Sequence, residues 1–245
     1  METTLIQELL QQLGCSYAFY FQPAGAQATY LANAERFRSA SLIKIPILLA
    51  WLHLERLGQV DRFELCDLDS EPQVHGAGFA WKLAGRRLPY HDLLLMMIAT
   101  SDNLCTNLVI ARAGMERLSE IFKDVLGLPE TILQRRLMDF EARQRGLDNW
   151  VGAQDCIHLY DHIQSLPPTE RTWVDGLLAA NVDSSLLLRN LDRDGVDFFH
   201  KTGSVSGVLH DWGYTRQKRL FLLLNNVSSE PSANAAFGTL GELLN

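Results

Sequence analysis

Residues 41–54, which read SLIKIPILLAWLHL, decide the fold. Apolar residues fall on every side of the helix that this stretch predicts, so the helix is expected to be buried. Pro46 lies within its first turns, where a missing N–H group costs little. Ser41 then falls at the start of the helix, and Lys44 lies on the same face three residues later. The sequence therefore predicts a buried helix that begins with a serine and a lysine.

Ser41 and Lys44 form a candidate nucleophile and base. A lysine at the start of a buried helix is costly unless it is solvated, paired or functional. Burial lowers the affinity of an ammonium group for its proton, which leaves a neutral amine able to accept a proton from a serine hydroxyl. The helix N-terminus adds a field that favours negative charge on the nucleophile. The alternative is that Ser41 only caps the helix and that Lys44 extends into solvent.

Strand-like segments lie at both ends of the chain. Residues 16–21 are aromatic-rich and alternating, and a second short strand is expected near Thr29. Near the other end, three runs separated by glycine-containing turns cover residues 196–202, 210–216 and 220–227. Because isolated hairpins are marginal in water, we expect strands from both ends to pair in one antiparallel sheet.

The middle of the chain, from Ser41 to about Ala180, is mostly helical, and helices are also expected at residues 1–14 and 234–244. The sequence thus predicts an α+β fold in a single domain of residues 1–245. An antiparallel sheet with flanking helices, approximately 1–40 and 182–245, carries an inserted all-helical lobe, approximately 41–181. We expect a ligand site in the cleft between the sheet edge and the helical lobe.

Composition and charge exclude several classes of function. The 245 residues carry a net charge of −7 and no basic stripe, which argues against a nucleic-acid surface. No apolar run approaches the roughly 18 residues that a membrane-spanning helix needs. Residues 1–14 contain two glutamates and no Lys or Arg, unlike a secretory leader. We expect a cytoplasmic protein, or a periplasmic or secreted one if a leader has been removed.

The four cysteines are widely spaced and have no C-x-x-C pair. They are expected to be buried thiols rather than disulfides or metal ligands.

A second motif, Ser101-Asp102-Asn103, separates two apolar helical runs. A polar triplet in this position is commonly a helix cap whose side chains accept hydrogen bonds from backbone N–H groups. The functional interpretation places Ser101 in the cleft as a proton relay and Asn103 as a clamp on the substrate amide. Both interpretations remain open from the sequence.

A third motif, Lys201-Thr202-Gly203, ends the strand expected at residues 196–202. Gly203 would let a ligand backbone approach the strand edge closely. Lys201 and Thr202 would supply a charge and a hydroxyl group for a carboxylate. The alternative is an edge-strand lysine that prevents aggregation.

Together and in this order, the three motifs resemble those of the class A β-lactamase-like serine hydrolases, which belong to the penicillin-recognising enzymes. The resemblance extends over nearly the whole chain. Residues 74–78 are similar to the loop that walls the cleft of these enzymes. Residues 103–107 match their N-x-x-x-N stretch, in which the second asparagine, here Asn107, supports the loop opposite. Residues 138–143 resemble that loop in a subset of the family.

The resemblance implies hydrolysis of a small β-lactam or related acyl compound, without a metal or organic cofactor. It implies that Ser41 is acylated, that Lys44 accepts its proton and that the N–H groups of Ser41 and Ser204 bind the oxyanion. The implied catalytic residues are Ser41, Lys44, Ser101, Glu141 and Lys201. The implied substrate-binding residues are Asn103, Thr202, Gly203, Ser204 and His210.

The segment around Glu141 departs from the family pattern. Class A enzymes carry a glutamate on this loop, followed by a proline and then an asparagine, and the Glu and Asn hold the hydrolytic water. Here Ala142 follows Glu141 and no asparagine takes the second position. The Arg–Asp pair that usually closes the loop is expected to be replaced at Asp139 and Asn149. Fast deacylation is thus in question. Two alternatives stay open: an esterase or D-alanyl-D-alanine peptidase, or an acylated sensor with little turnover.

Overall fold

A computed structural model of the protein describes residues 2–192 and 195–245, so Met1 of the predicted first helix lies outside the described residues. The strands are β1 (Ser16–Pro23), β2 (Thr29–Ala32), β3 (Arg36–Arg38), β4 (Leu65–Asp67), β5 (Arg87–Pro89), β6 (Trp150–Gly152), β7 (Phe199–Val205), β8 (Val208–Tyr214) and β9 (Lys218–Asn225). The helices are α1 (Thr3–Gln12), α2 (Lys44–Arg56), α3 (Tyr90–Ala99), α4 (Asn103–Ala113), α5 (Met115–Asp124), α6 (Phe140–Gln144), α7 (Ala153–Gln164), α8 (Pro168–Ala179) and α9 (Glu230–Gly241).

The main sheet is antiparallel and has the strand order β2-β1-β9-β8-β7. Strand β1, from the start of the chain, pairs along its full length with β9, from Ser16 opposite Asn225 to Pro23 opposite Lys218. This confirms the predicted sheet built from both chain ends. Strand β7 forms one edge, and its outer side faces the turn that carries Ser41.

Strand β7 begins at Phe199, three residues later than expected, and continues to Val205. Lys201 therefore lies within the strand rather than at its end. Gly203 lies on the edge strand β7, where the backbone of the turn that carries Ser41 packs closely against it. A glycine fits here because it has no side chain to separate the two backbones.

The sheet is covered on both faces. In β9, Leu220, Leu222 and Leu224 pack into the core shared with α1 and α9, whereas Phe221 and Leu223 pack into the larger core of the helical lobe. Because successive side chains of a strand point to opposite faces, a strand buried on both sides needs a continuous apolar run. Burial on both faces therefore accounts for the continuous apolar run at residues 220–224.

Helix α2 runs through the centre of the larger core. Every residue from Lys44 to Leu52 is buried, and so is Leu54, which confirms the predicted all-round burial. Each large apolar side chain of this helix stabilises the fold by about 1.5–3 kcal/mol relative to exposure.

Within residues 2–192 and 195–245, no helix is long and apolar enough to cross a membrane. The four cysteines are buried and free, as expected.

Candidate active site

Ser41 lies in a 3-10 turn, Ala40–Ile43, that continues directly into α2. Ala40 has φ +44°, a left-handed conformation that is costly for a residue with a Cβ atom. The turn packs against β7 at Gly203, where an added Cβ atom would lie 3.0 Å from the Ser41 nitrogen. The sequence indicated that Gly203 admits a ligand backbone, but the structure shows that it admits the backbone of Ser41 itself.

The ammonium nitrogen of Lys44 is the centre of the cluster. Lys44 is fully buried, and its Nζ atom lies 3.0 Å from the Ser41 hydroxyl oxygen. The same Nζ atom lies within hydrogen-bonding distance of the carbonyl (2.7 Å) and the hydroxyl (2.9 Å) of Ser101, and of Oδ1 of Asn103 (3.1 Å). The side chain does not extend into solvent, and it links the first two motifs.

The environment of Lys44 favours a neutral amine. Burial lowers the pKa of Lys44 well below its usual value, and the nearby Lys201 ammonium lowers it further, against the opposing influence of Asp102. The lowered pKa favours the neutral amine more than in an exposed lysine, and a neutral amine can accept a proton from Ser41.

The Ser101-Asp102-Asn103 triplet combines both interpretations made from the sequence. Asp102 caps α4 by accepting from the Cys105 N–H group at 3.0 Å. Ser101 has φ +56°, and this left-handed conformation lets both its carbonyl and its hydroxyl reach Lys44. A structural cap thus holds two polar side chains against the candidate base.

The loop of residues 74–78, which lies between β4 and β5, contributes Ala77 to the wall of the cleft, as the resemblance implied. The Asn103 amide donates to the His75 carbonyl (3.2 Å), and the Asn103 N–H group donates to the Ala77 carbonyl (3.2 Å). Gly78 lies against Asp102, where a Cβ atom would come within 2.1 Å of the carboxylate. Its φ of +81° also requires glycine.

Lys201 is fully buried in β7, and its Nζ atom donates to the Thr202 carbonyl at 2.8 Å. Burial lowers the pKa of Lys201 to about 8, against the opposing influence of Asp183 and Asp211. This side chain is not an exposed edge-strand lysine.

The cleft has a volume of about 180 Å³. Five parts of the chain line it: the 3-10 turn, the loop between β4 and β5, the end of α3 with the residues that follow it, the segment after α8, and strand β7. The lining residues are Ser41, Ala77, Ala99, Thr100, Ser101, Asn181, Val182, Asp183, Thr202 and Ser204. Sequence reasoning missed Asn181 and Asp183. The only local signal there was a turn-forming Asn-x-Asp-Ser-Ser stretch.

The structure does not bring His210 to the cleft. Its Nε2 atom bonds the Arg38 carbonyl at 2.7 Å, and its Nδ1 atom accepts from the Leu224 N–H group at 3.2 Å. Burial lowers the pKa of His210 to about 4, so the ring is neutral and both nitrogens are occupied. The expected contact with substrate is corrected to a contact between β8, β9 and β3.

Glu141 is also not placed at the cluster. It is an exposed residue of α6, and within the described residues its carboxylate takes part in no hydrogen bond or ion pair. The nearby Asp139 caps α6 through the Ala142 N–H group at 2.9 Å. The assignment of the loop carboxylate to Glu141 therefore finds no support in its position.

The loop residue supported by Asn107 is Leu137. The Asn107 amide donates to the Leu137 carbonyl (3.1 Å) and accepts from the Leu137 N–H group (2.8 Å). The end of the next side chain, Met138, lies beside Gly76 and the Asn103 amide. Leu137 is buried in the larger core, so the loop position that Asn107 supports holds an apolar residue where the resemblance implied a carboxylate.

The loop is closed by an ion pair, but at other residues than the sequence predicted. Asp148 bonds Arg135 at 2.7 Å and Arg38 at 3.0 Å. Burial alone would raise the pKa of Asp148, but these partners and the Asn149 N–H group hold it below its usual value. The expected replacement of the pair at Asp139 and Asn149 is wrong, because the acidic partner is one residue before Asn149.

The sequence matches a profile described as the beta-lactamase enzyme family over residues 3–245. Comparison with curated proteins finds no match. A β-lactamase from Sphaerobacter thermophilus has a TM-score of 0.86 at 21% identity, with 98% of this chain and 93% of that chain covered. A PBP-A mutant, in an acyl-enzyme complex with penicillin G, gives 0.86 at 22% identity with the same coverage. An ancestral class A β-lactamase gives 0.84 at 20% identity, covering 98% and 97%. The fold is that of the β-lactamases.

Proposed function

Because this chain belongs to the beta-lactamase enzyme family, we propose that it is a serine hydrolase that forms an acyl-enzyme on Ser41. The proposed acyl donor is a strained or activated carbonyl, with the β-lactam amide of penicillin-type compounds as the reference case. The observation that carries this proposal is the 3.0 Å contact between the Ser41 hydroxyl and a fully buried Lys44 amine.

In the acylation step, the Ser41 oxygen attacks the carbonyl carbon and its proton passes to the neutral Lys44 amine. The depressed pKa of Lys44 supports this direction of transfer. We assign the resulting oxyanion to the main-chain N–H groups of Ser41 and Ser204. The close packing of Gly203 on the Ser41 nitrogen supports this assignment, because it holds the two segments together.

Collapse of the tetrahedral intermediate breaks the bond to the leaving nitrogen, which must gain a proton. We assign that transfer to the Ser101 hydroxyl, which lies 2.9 Å from Lys44 and can receive the same proton back from it. Lys201 assists electrostatically, and Asn103 and Thr202 orient the substrate. His210 has a positioning role, because it holds the Arg38 carbonyl close to the Ser41 turn.

Deacylation needs a water molecule and a base, and we do not assign this base to Glu141. Within the described residues, no carboxylate hydrogen-bonds to Ser41, Lys44, Ser101 or Asn103. We therefore propose that acylation is the efficient half of the reaction and that the acyl-enzyme is long-lived.

This loop favours a second candidate, a penicillin-binding protein or sensor that is acylated but turns over little. The PBP-A mutant that is similar in fold was obtained as an acyl-enzyme with penicillin G, which supports the same chemistry here. An esterase or D-alanyl-D-alanine peptidase would use the same nucleophile.

Mass spectrometry of the intact protein with benzylpenicillin and a cephalosporin, followed over time, tests the proposal. We expect one acyl group per wild-type chain, persisting for many minutes, and none on Ser41→Ala. A fluorophosphonate probe, which needs no β-lactam, should label the same serine. Labelling that survives Ser41→Ala would overturn the assignment. Rapid loss of the adduct with sustained turnover would favour a β-lactamase over the sensor.

A further inference from the structure

The end of the cleft beside Thr202 carries a carboxylate, that of Asp183. Burial alone would raise the pKa of Asp183, but hydrogen bonds from Ser185 and Thr202 and the charge of Lys201 lower it below its usual value. The Ser185 N–H group donates to this carboxylate at 3.0 Å. Asp183 is thus ionised at neutral pH and lies beside Thr202, one of the two residues expected from the sequence to bind a substrate carboxylate.

The segment that carries Asp183 is fixed on both sides. The Val182 N–H group donates to the Ala99 carbonyl at 3.0 Å, which ties the segment to the end of α3. The Asn181 amide donates to the His200 carbonyl of β7 at 3.3 Å and accepts from the Asp183 N–H group at 3.2 Å. The backbone of Asp183 is therefore held beside the cleft, and the bond from the Ser185 N–H group orients its carboxylate.

Little positive charge remains to receive a second carboxylate. Lys201 has a pKa of about 8, and the carboxylates of Asp183 and Asp211 both act on it. His210 is neutral, and the residues that line the cleft include no arginine. A carboxylate entering beside Thr202 meets a fixed like charge and a cation whose charge is already balanced. Like charges placed a few ångströms apart in a poorly solvated site repel strongly.

We propose that Asp183 determines the substrate class of this site by excluding acyl donors that carry a free carboxylate on the leaving-group side. The preferred substrates are esters and amides whose group at this position is neutral or cationic. This inference rests on the proposed acylation of Ser41. It implies that penicillins, which carry such a carboxylate, acylate the protein more slowly than their neutral esters do.

Benzylpenicillin and its methyl ester form a matched pair of probes, since they differ in charge and by one methyl group at this position, and the Asp183 variants isolate the effect of the charge. We expect the second-order acylation rate constant of wild type to be higher for the ester than for the acid. Asp183→Asn keeps an oxygen to accept from Ser185 and removes the charge. It should lower the ester-to-acid ratio about tenfold, mainly by faster acylation with the acid.

Glu120→Gln is the control, because it removes one negative charge from an exposed position of α5. It should leave the ratio unchanged. Asp183→Ser provides a second uncharged variant if Asp183→Asn folds poorly, and thermal unfolding checks both. An unchanged ratio in a folded Asp183 variant, or an equal change in Glu120→Gln, overturns the proposal.

A separate measurement distinguishes this failure from failure of the proposed function. If no probe labels Ser41 in any variant, the acyl-enzyme proposal is wrong. Calorimetric titration of Ser41→Ala and Ser41→Ala/Asp183→Asn with the same two compounds then tests Asp183 without chemistry. Binding of the acid should strengthen when the charge is removed. No gain in binding counts against a role for Asp183.

Discussion

The cluster around Lys44 and the loop of residues 135–149 approach each other where Met138 lies beside the Asn103 amide, but they differ in how their polar groups are used. In the cluster, Lys44 contacts Ser41, Ser101 and Asn103 within about 3 Å and is shielded from solvent. In the loop, the ion pair of Asp148 and the Asn107 clamp on Leu137 hold the backbone, and no carboxylate bonds to the cluster.

This contrast separates the two halves of a hydrolytic cycle. Forming the acyl-enzyme needs a nucleophile, a base and an oxyanion site, whereas releasing it also needs a positioned water molecule. The contacts of Lys44 support the first half, and among the described residues no carboxylate is bonded to this cluster to serve the second. Under the proposed function, this chain keeps the groups for acylation while its loop serves only as structure, and the following predictions test that division.

Replacing the base should have the largest effect. Lys44→Met keeps the length of the side chain and removes the amine, so acylation of Ser41 by benzylpenicillin should slow by a factor of about 10²–10⁴ or more, as for loss of a general base. The rate is measured by intact mass spectrometry, and circular dichroism checks the fold. Near-normal acylation by the folded variant would show that another group takes the proton of Ser41.

Adding a carboxylate to the loop should convert slow release into turnover. In Leu137→Glu, the new carboxylate lies on the residue whose backbone Asn107 holds. We expect deacylation to accelerate about 100-fold, the lower end for general-base catalysis, with little change in acylation. Leu137→Gln has the same shape without a base and should remain slow. Equal acyl-enzyme lifetimes in the two variants would argue that position 137 does not reach the acyl group.

The charge of Lys201 should affect acylation by anionic substrates in a pH-dependent way. The pKa of Lys201 is about 8, so its ammonium loses its proton as the pH rises through that value. Without that ammonium, the Asp183 carboxylate is no longer balanced and repels a substrate carboxylate more strongly. Acylation by benzylpenicillin should therefore fall between pH 7 and pH 9 relative to acylation by the methyl ester, which carries no carboxylate to be repelled. Parallel pH profiles for the two compounds would show that the charge of Lys201 does not offset that of Asp183.

Removing Glu141 should have the smallest effect. Its exposed carboxylate makes no hydrogen bond or ion pair within the described residues, so Glu141→Ala should leave both acylation and the lifetime of the acyl-enzyme unchanged. A time course of adduct loss, compared directly with wild type, measures this. A clearly longer lifetime in the variant would restore Glu141 as the deacylating base and weaken the contrast drawn above.

The sequence by itself determined the fold class and the proximity of Ser41 and Lys44. The all-round apolar pattern of α2, the alternating strand segments and the three ordered motifs depend on local periodicity and on residues adjacent in the chain. Ser41 and Lys44 lie three residues apart on a continuous turn and helix, so their contact follows from helical geometry.

Only the tertiary structure decided which residue of the loop Asn107 holds and which residues line the end of the cleft beside Thr202. The sequence offered Glu141 and His210 because their residue types suit the chemistry, but the backbone turns Glu141 to solvent and binds both nitrogens of His210. Leu137 and Asp183 carry no motif. Their positions depend on contacts with Asn107 and with the segment beside β7, across separations in the chain that no local pattern encodes.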